Sequence, residues 1–190
     1  MSVVELRSRS VDPQLAEAPI TEAQIAAFRG AMRHLAGAVA VITTGTGEAR
    51  TGFTATSVSS FSMEPPALLV CLNRESSSWP IVREHGGFCV NLLAHDQSHV
   101  ADRFAGRGGA KGVARYEGAH WQEQPSGALG LADALGSIDC RLDEAIERHS
   151  HAILIGRVNS VTLRTEAEPL LYWHGAYRLL SGLDRVLTQA

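Results

Sequence analysis

The apolar positions of this chain first follow a helical period and then change to the short runs typical of strands. Apolar residues recur at helical spacing from Ile25 to Leu35. A capping-box signature precedes them at Thr21, so the pattern predicts a helix over residues 22–36. We expect Gly37 to end this helix, as a glycine just past the last helical turn commonly does.

From residue 38 onward, short apolar runs alternate with turn residues, which favours strands. The predicted strands are residues 38–44, 67–72, 88–93, 135–145 and 152–163, with shorter closing segments near 170–173 and 176–180. A bulge is expected at Gly156, and the Gly-rich residues 105–118 predict a long loop. Short helices are expected after Ser76 and over residues 96–104. Roughly seven short strands with three small helices predict a mainly β fold, a closed or nearly closed barrel with peripheral helices.

Length and composition indicate one globular domain. A chain of 190 residues falls within the usual size of a single domain, and 45% apolar with 19% charged residues is typical of a folded protein. Residues 1–20 are polar and follow no period, so they predict a flexible N-terminal arm before a single domain over 21–190.

A net charge of −3 argues against a nucleic-acid partner. The apolar run 67–72 is far shorter than the roughly 20 residues that a membrane-spanning helix needs.

The three cysteines, Cys71, Cys89 and Cys140, are odd in number and widely spaced. They form neither a disulfide framework nor a CxxC metal motif. A reducing, cytoplasmic location is therefore the default expectation.

The sequence does not match the common motifs of phosphate-binding, nucleophilic or metal sites. Residues 106–112 resemble a phosphate-binding loop, but Lys111 does not follow a glycine directly and no Ser or Thr comes after it. No G-x-S-x-G elbow supplies a nucleophile. The pairs His95/His99 and His149/His151 have spacings that suit a metal, but nothing completes a ligand set, so solvated surface histidines are the expectation and no metal is predicted.

Two runs of hydroxyl residues stand out, residues 54–60 and Ser76-Ser-Ser78. Hydroxyls and backbone N–H groups at a strand end or a helix start can cradle a phosphate or the polar edge of a ring. The alternative is that Thr and Ser serve only as strand and cap residues. From the residues alone, both interpretations stay open.

Several blocks together resemble the flavin reductases of two-component monooxygenases. The blocks are Gly52-Phe-Thr-Ala-Thr-Ser-Val-Ser-Ser60, Leu68-Leu-Val-Cys-Leu-Asn73, Ser76-Ser-Ser78, Phe88-Cys-Val-Asn91, Phe104-Ala-Gly106, His151-Ala-Ile-Leu-Ile-Gly156-Arg-Val158 and Gly175-Ala-Tyr177. The resemblance covers roughly residues 26–181, with the blocks in family order. It implies an FMN-binding split β-barrel of Greek-key type that forms a homodimer. It further implies reduction of FMN or FAD by NADH or NADPH, with free reduced flavin passing to a partner oxygenase.

The resemblance also implies roles for individual residues. Those expected at the isoalloxazine are Thr54, Ala55, Thr56, Ser57, Leu72 and Asn73, with Ser60 toward the ribityl or phosphate end. Those expected at the phosphate are Ser76, Ser77 and Ser78, and those covering the distal part are Phe104, Ala105 and Gly106. His151 and Tyr177 are expected to face the nicotinamide, with His151 as the candidate catalytic residue.

Two departures from the family pattern bear on the nicotinamide side. Ser150 stands where the family often has Asp, and Ala36-Gly-Ala38 stands where it often has Thr-Gly-Val. Another role for His151 is to cap a strand through a hydrogen bond.

The rival functions are a flavin-binding electron carrier or sensor on the same barrel, and an oxidase acting on pyridoxamine phosphate. The second rival would need cationic residues converging on a substrate phosphate, whereas the basic residues here are scattered along the chain.

Overall fold

The computed structural model describes residues 20–164 and 166–180, so residues 1–19 of the expected arm lie outside the described residues. The helices are α1 (Glu22–Arg33), α2 (Ser78–His85) and α3 (Ser98–Phe104). The strands are β1 (Gly37–Ala38), β2 (Ala40–Thr44), β3 (Thr51–Ala55), β4 (Ser59–Met63), β5 (Pro66–Asn73), β6 (Gly87–Leu92), β7 (Trp121–Glu123), β8 (Leu129–Leu131), β9 (Gly136–Arg148), β10 (His151–Leu163), β11 (Leu171–Trp173) and β12 (Ala176–Arg178). The chain divides into two units, residues 1–35 and 36–190.

Helix α1 begins as the sequence predicts. The Thr21 hydroxyl accepts a hydrogen bond from the Gln24 amide, and the Gln24 side chain accepts one from the Thr21 amide, which completes the capping box. The predicted end of the helix was wrong. The helix stops at Arg33, and Gly37 instead opens strand β1, where it pairs with Tyr172 of β11.

The second unit is built on a seven-stranded antiparallel sheet in the order β3-β2-β6-β9-β10-β5-β4. Its two edge strands, β3 and β4, are consecutive in the chain, and only residues 56–58 join them. Because so short a link spans at most about 15 Å, the two edges of the sheet must lie close together. The sheet therefore curls into a nearly closed barrel, as the strand pattern predicts.

Alternation along the strands separates two apolar clusters. One face of the main sheet contributes the larger cluster, which holds Ile42, Val70, Phe88 and Leu154, all fully buried. The opposite face of β2 packs through Val41 against α3 and β8 in the second cluster. Strand β2 is buried on both faces: its first three residues are apolar, and the hydroxyls of Thr43 and Thr44 donate to backbone carbonyls.

The bulge expected in β10 is present. The pairing of β10 with β9 shifts register between Ile155 and Gly156. A Cβ at Gly156 would collide with the ring of Phe88, so the position requires a glycine for space as well as for the bulge. No helix in the described part of the chain is long and apolar enough to cross a membrane.

Candidate functional site

A cleft of about 410 Å³ opens beside the end of β3, between β5 and the chain around α3. Its lining residues are Phe53, Thr54, Ala55, Thr56, Ser57, Cys71, Leu72, Asn73, Ser76, Phe104, Ala105, Arg115 and His151. Most of the residues predicted for the flavin and nicotinamide site are therefore brought together here. They come from segments far apart in sequence, and the barrel places them around one opening.

The β3 wall of the cleft is fixed by hydrogen bonds to its neighbours. The Thr54 hydroxyl donates to the carbonyl of Ala101 on α3 at 2.6 Å. The Ser57 hydroxyl accepts from the Cys71 amide at 3.1 Å and lies 3.3 Å from the Cys71 carbonyl, so it ties the end of β3 to β5. These bonds hold the wall in place, and the exposed Thr56 between them adds a further hydroxyl to the lining.

The lining of the cleft also includes an imidazole. His151 is the first residue of β10 and pairs with Asn73, the last residue of β5. The Nδ1 atom of His151 lies 2.8 Å from the Ser150 hydroxyl, and the side chain is exposed. The hydroxyl orients the ring without adding a negative charge.

The three serines of the second hydroxyl run have different environments. Ser76 lines the cleft, and Ser77 is exposed. Ser78 is fully buried, with its hydroxyl 3.1 Å from the Thr51 hydroxyl and 3.0 Å from the Gly52 carbonyl. The Ser78 hydroxyl is thus committed to the core, and of this run only Ser76 presents a side chain to the cleft.

A second cavity of about 220 Å³ adjoins the cleft and shares the wall formed by Thr54–Thr56 and Ala105. Tyr177 lines this second cavity together with Tyr172 and Arg107. The two tyrosine rings meet edge to face, with centroids 5.8 Å apart. His151 and Tyr177, both expected to face the nicotinamide, therefore line different cavities that share one wall.

Asp102 fixes the polar end of Tyr177. The tyrosine hydroxyl donates to the Asp102 carboxylate at 2.8 Å, and Arg107 donates to the same oxygen at 2.9 Å. Burial, and then the hydrogen bond to Asp102, raise the pKa of Tyr177 to about 12. The phenol therefore stays protonated at neutral pH and acts as a fixed donor.

Besides Ser77 and Ser78, two further predicted residues, Ser60 and Gly106, lie outside both linings. Ser60 is exposed on the edge strand β4, where it pairs with Leu68. Gly106 follows Ala105 with φ of 78°, which suits a glycine at the exit from α3. Phe104 and Ala105 do line the cleft, as expected of residues that cover a ligand.

Arg115 is the functional candidate that the sequence did not reveal. It lies in a 3₁₀ turn, Gly112–Tyr116, within the Gly-rich stretch after α3, and its guanidinium lines the cleft. Burial lowers its pKa from the ordinary value for arginine. The only signal in the sequence is that a basic residue, Arg115, stands beside an aromatic one, Tyr116. The pair follows shortly after residues 106–112, which do not match the phosphate-binding loop.

The described residues contain no group of three or more His, Cys, Asp or Glu side chains able to hold a metal ion. The His95/His99 pair is also split by the fold. His99 lies on α3, but His95 precedes the helix and is not on its face.

Comparison with known proteins gives a consistent result. A family model described as "Flavin reductase like domain" matches residues 32–181. A protein named FMN reductase (NADH) RutF, from Klebsiella pneumoniae subsp. pneumoniae, is 40% identical over 155 residues, which cover 82% of this chain and 93% of that protein.

Solved structures agree on the fold. BorF, the flavin reductase component of a bacterial two-component tryptophan halogenase, superposes with a TM-score of 0.75 at 30% identity, covering 82% of this chain and 98% of BorF. A flavin reductase domain protein from Arthrobacter sp. FB24 gives a TM-score of 0.75 at 32% identity, covering 84% of this chain and 98% of that one. These neighbours have the split-barrel fold, which agrees with the mainly β barrel expected from the sequence.

Proposed function

This chain belongs to the flavin reductase like domain family, and on that premise we propose that it is an NADH-dependent flavin oxidoreductase. In this proposal it reduces FMN or FAD and releases the reduced flavin to a separate oxygenase. The observation that carries the proposal is the single cleft into which β3, β5, α3 and the start of β10 bring an apolar surface and a set of hydroxyl and amide groups.

The cleft residues fit a flavin. Phe53, Leu72 and Phe104 are largely buried and back the cleft with apolar side chains, which suits a ring. Thr54, Ser57 and their backbone groups offer the donors and acceptors that the heteroatom edge of an isoalloxazine needs. We assign the isoalloxazine to this β3 and β5 wall, with Thr56 and Asn73 completing the polar lining.

The chemistry needs little from the protein beyond placement. When bound, a flavin and a nicotinamide would supply the hydride-transfer chemistry themselves, and the protein would need no nucleophile. The residues around the cleft would hold two rings in register and keep water from the reacting faces. The lack of a carboxylate in the lining of the main cleft is compatible with such a positioning role.

The nicotinamide is assigned to the region bordered by His151 and by the wall that the two cavities share. His151 would position the nicotinamide carboxamide from the main cleft. Tyr177 would act from the adjoining cavity, where Asp102 fixes its hydroxyl. The adjoining cavity has aromatic walls, which suit a planar ring of the nucleotide.

The test is NADH and NADPH oxidation by the purified protein, with FMN, FAD and riboflavin supplied in turn. We expect NADH oxidation that depends on added flavin and saturates with it. An oxidation rate no higher than that of the buffer with flavin and NADH alone would remove the reductase assignment.

We also propose that the protein is a homodimer. Phe61 and Met63 on the edge strand β4 are 57% and 77% exposed, and Val161 and Leu163 on β10 are 50% and 71% exposed. Large apolar residues clustered on an edge strand and a strand end are typical of an interface rather than of a free surface.

Light scattering at micromolar concentration should give twice the mass of one chain. Met63→Lys should shift the protein toward monomer, because it places a charge in the proposed interface. Glu48→Lys, a charge change on an exposed turn, serves as the control. A wild-type protein that is monomeric and fully active would contradict the proposal.

The proposed location is the cytoplasm. Cys71, Cys89 and Cys140 are all free thiols, which suits a reducing compartment. Oxygen also oxidises free reduced flavin. The oxygenase that uses the flavin is therefore expected close to this protein, in the same compartment.

A further inference from the structure

The turn that precedes His151 consists of His149 and Ser150 alone. Arg148 ends β9 and pairs with His151, which begins β10. His149 has φ of 50°, in the left-handed region that is uncommon for a residue other than glycine. Such a backbone conformation persists only where the surrounding contacts hold it. The position of the Ser150 hydroxyl, and with it the orientation of the His151 ring, therefore depends on those contacts.

Arg74 contacts both residues of the His149–Ser150 turn. It directly follows Asn73, the last residue of β5, and its amide donates to the Ser150 carbonyl at 2.9 Å. Its guanidinium donates through Nη1 to the His149 carbonyl at 3.0 Å. Because Asn73 also pairs with His151, the chain at the end of β5 contacts all three of these consecutive residues.

Glu147 on β9 fixes the direction of the Arg74 guanidinium. Its Oε2 lies 2.6 Å from Nη2 of Arg74, and both side chains are partly shielded from water. An ion pair near the surface adds little to stability. Here, however, the planar fork places one nitrogen on the carboxylate and the other on the turn, so the two contacts orient each other.

Arg74 lines neither of the two cavities, whereas His151 lines the main cleft. We propose that Arg74 is a positioning residue, which holds the His149–Ser150 turn and so directs the His151 ring toward the nicotinamide. This inference rests on the proposed function, since it assumes that the nicotinamide contacts His151. Placement matters for hydride transfer, because a displacement of about 1 Å can cost about 100-fold in rate.

The orientation of the ring is testable without any nucleotide, by NMR of protein labelled with ¹³C and ¹⁵N at histidine. The ring signal of His151 is identified as the one that disappears in His151→Ala. Arg74→Gln should shift or broaden this signal in the ligand-free protein, because the turn is no longer held. Arg141→Gln is the matched control and should leave the signal in place, since Arg141 is an exposed arginine of β9 that lines neither cavity. An unchanged His151 signal in Arg74→Gln would overturn the inference.

A double-mutant cycle with His151→Ala tests whether Arg74 acts through the imidazole. Arg74→Gln alone should slow stopped-flow flavin reduction at sub-saturating NADH by about three- to tenfold, with FMN affinity changed by less than about twofold. In the His151→Ala background it should have almost no further effect, because the ring that it positions is gone. An equal loss of rate in both backgrounds, or a loss of FMN affinity as large as the loss of rate, would overturn the inference.

Two milder variants keep the test decisive if Arg74→Gln folds poorly. Arg74→Lys keeps a positive charge beside Glu147 but lacks the fork, so it should retain part of the reduction rate. Glu147→Gln should slow reduction by about two- to threefold, and only when His151 is present. An effect of Glu147→Gln that persists in His151→Ala would contradict the inference. Failure of the proposed function would show as a wild-type protein that does not oxidise NADH, whereas the NMR comparison reports on the turn in either case.

Discussion

The His151 ring has one nitrogen engaged by the Ser150 hydroxyl, and the exposed ring lines the cleft. A hydroxyl partner fixes the orientation of an imidazole. His151 is therefore suited to position a group of the nucleotide by hydrogen bonding. Its exposure at the strand end also means that the fold depends little on it.

We predict that His151→Ala raises the KM for NADH or slows flavin reduction by about tenfold, with FMN affinity nearly intact. The reason is that the variant loses the positioning of one ring without touching the contacts of the other. Stopped-flow reduction and an FMN titration on the same sample measure both quantities.

His99→Ala is the control for this experiment, since His99 is exposed on α3 and lines neither cavity. A His151→Ala variant with a normal reduction rate at low NADH and a lowered melting temperature would assign His151 to strand capping instead.

At the scale of elements, the start of α2 shows how one run of identical residues divides between binding and structure. Ser76 lines the cleft, whereas Ser78 lies in the core and bonds to β3 through Thr51 and Gly52. The same two groups of β3 also contact Arg115. The start of α2 therefore joins the candidate phosphate site to the barrel.

We predict opposite effects for the two outer serines. Ser76→Ala should weaken FMN binding several-fold and leave the free energy of unfolding nearly unchanged. Ser78→Ala should lower the free energy of unfolding by about 1–3 kcal/mol, because it leaves buried partners unsatisfied. Urea unfolding and FMN titration of each variant check both statements, and Ser77→Ala, an exposed position, is the control.

If Ser76→Ala binds FMN as tightly as the wild type, the hydroxyl of Ser76 does not contact the ligand. If Ser78→Ala is as stable as the wild type, its buried hydrogen bonds contribute nothing to the fold.

The sequence was sufficient to predict those elements in which buried apolar residues form a regular pattern. The strand around residues 67–72 and the bulge at Gly156 were predictable because apolar runs and a glycine within a strand reflect local packing. The end of α1 was not, since pairing of Gly37 with Tyr172, far along the chain, determines the structure there. Arg115 and the separate cavity of Tyr177 were also beyond prediction, because Arg115 lies in a turn without a period and Tyr177 lies on a three-residue strand too short to show one.

At the scale of the whole molecule, the barrel encloses thiols that resist ionisation. Cys89 and Cys140 are fully buried on neighbouring strands β6 and β9. Burial, and then the nearby Asp139 carboxylate, raise the pKa of Cys140 to about 12, and the same two causes raise the pKa of Cys89. Unfolding would expose both thiols to water, where they ionise near their ordinary pKa of about 8.5.

This difference predicts a loss of stability in alkali. Below about pH 8.5 both states keep the thiol protons, and the stabilisation is fully present. Above it the unfolded chain loses protons that the folded chain retains, so the free energy of unfolding falls as the pH rises toward 12. Each buried thiol should contribute about 1.4 kcal/mol per pH unit in that window.

Urea unfolding at several values between pH 7 and 11 measures the slope. Cys140→Ala should flatten it, leaving the part due to Cys89, Tyr116 and Tyr177, whose pKa values burial also raises. Val70→Ala, a core deletion without a titrating group, should lower stability by a similar amount at every pH. Equal slopes for the wild type and Cys140→Ala would contradict the prediction.

The central claim is that the protein reduces flavin catalytically and lets it go. The measurement that tests it most directly is an anaerobic reaction of NADH with FMN in large molar excess over the protein, followed by the visible absorbance of the flavin. We predict that all of the FMN is reduced over many turnovers, at a rate proportional to protein concentration. Reduction that stops after one flavin per chain would identify an electron carrier instead, and no reduction beyond the protein-free reaction would contradict the account altogether.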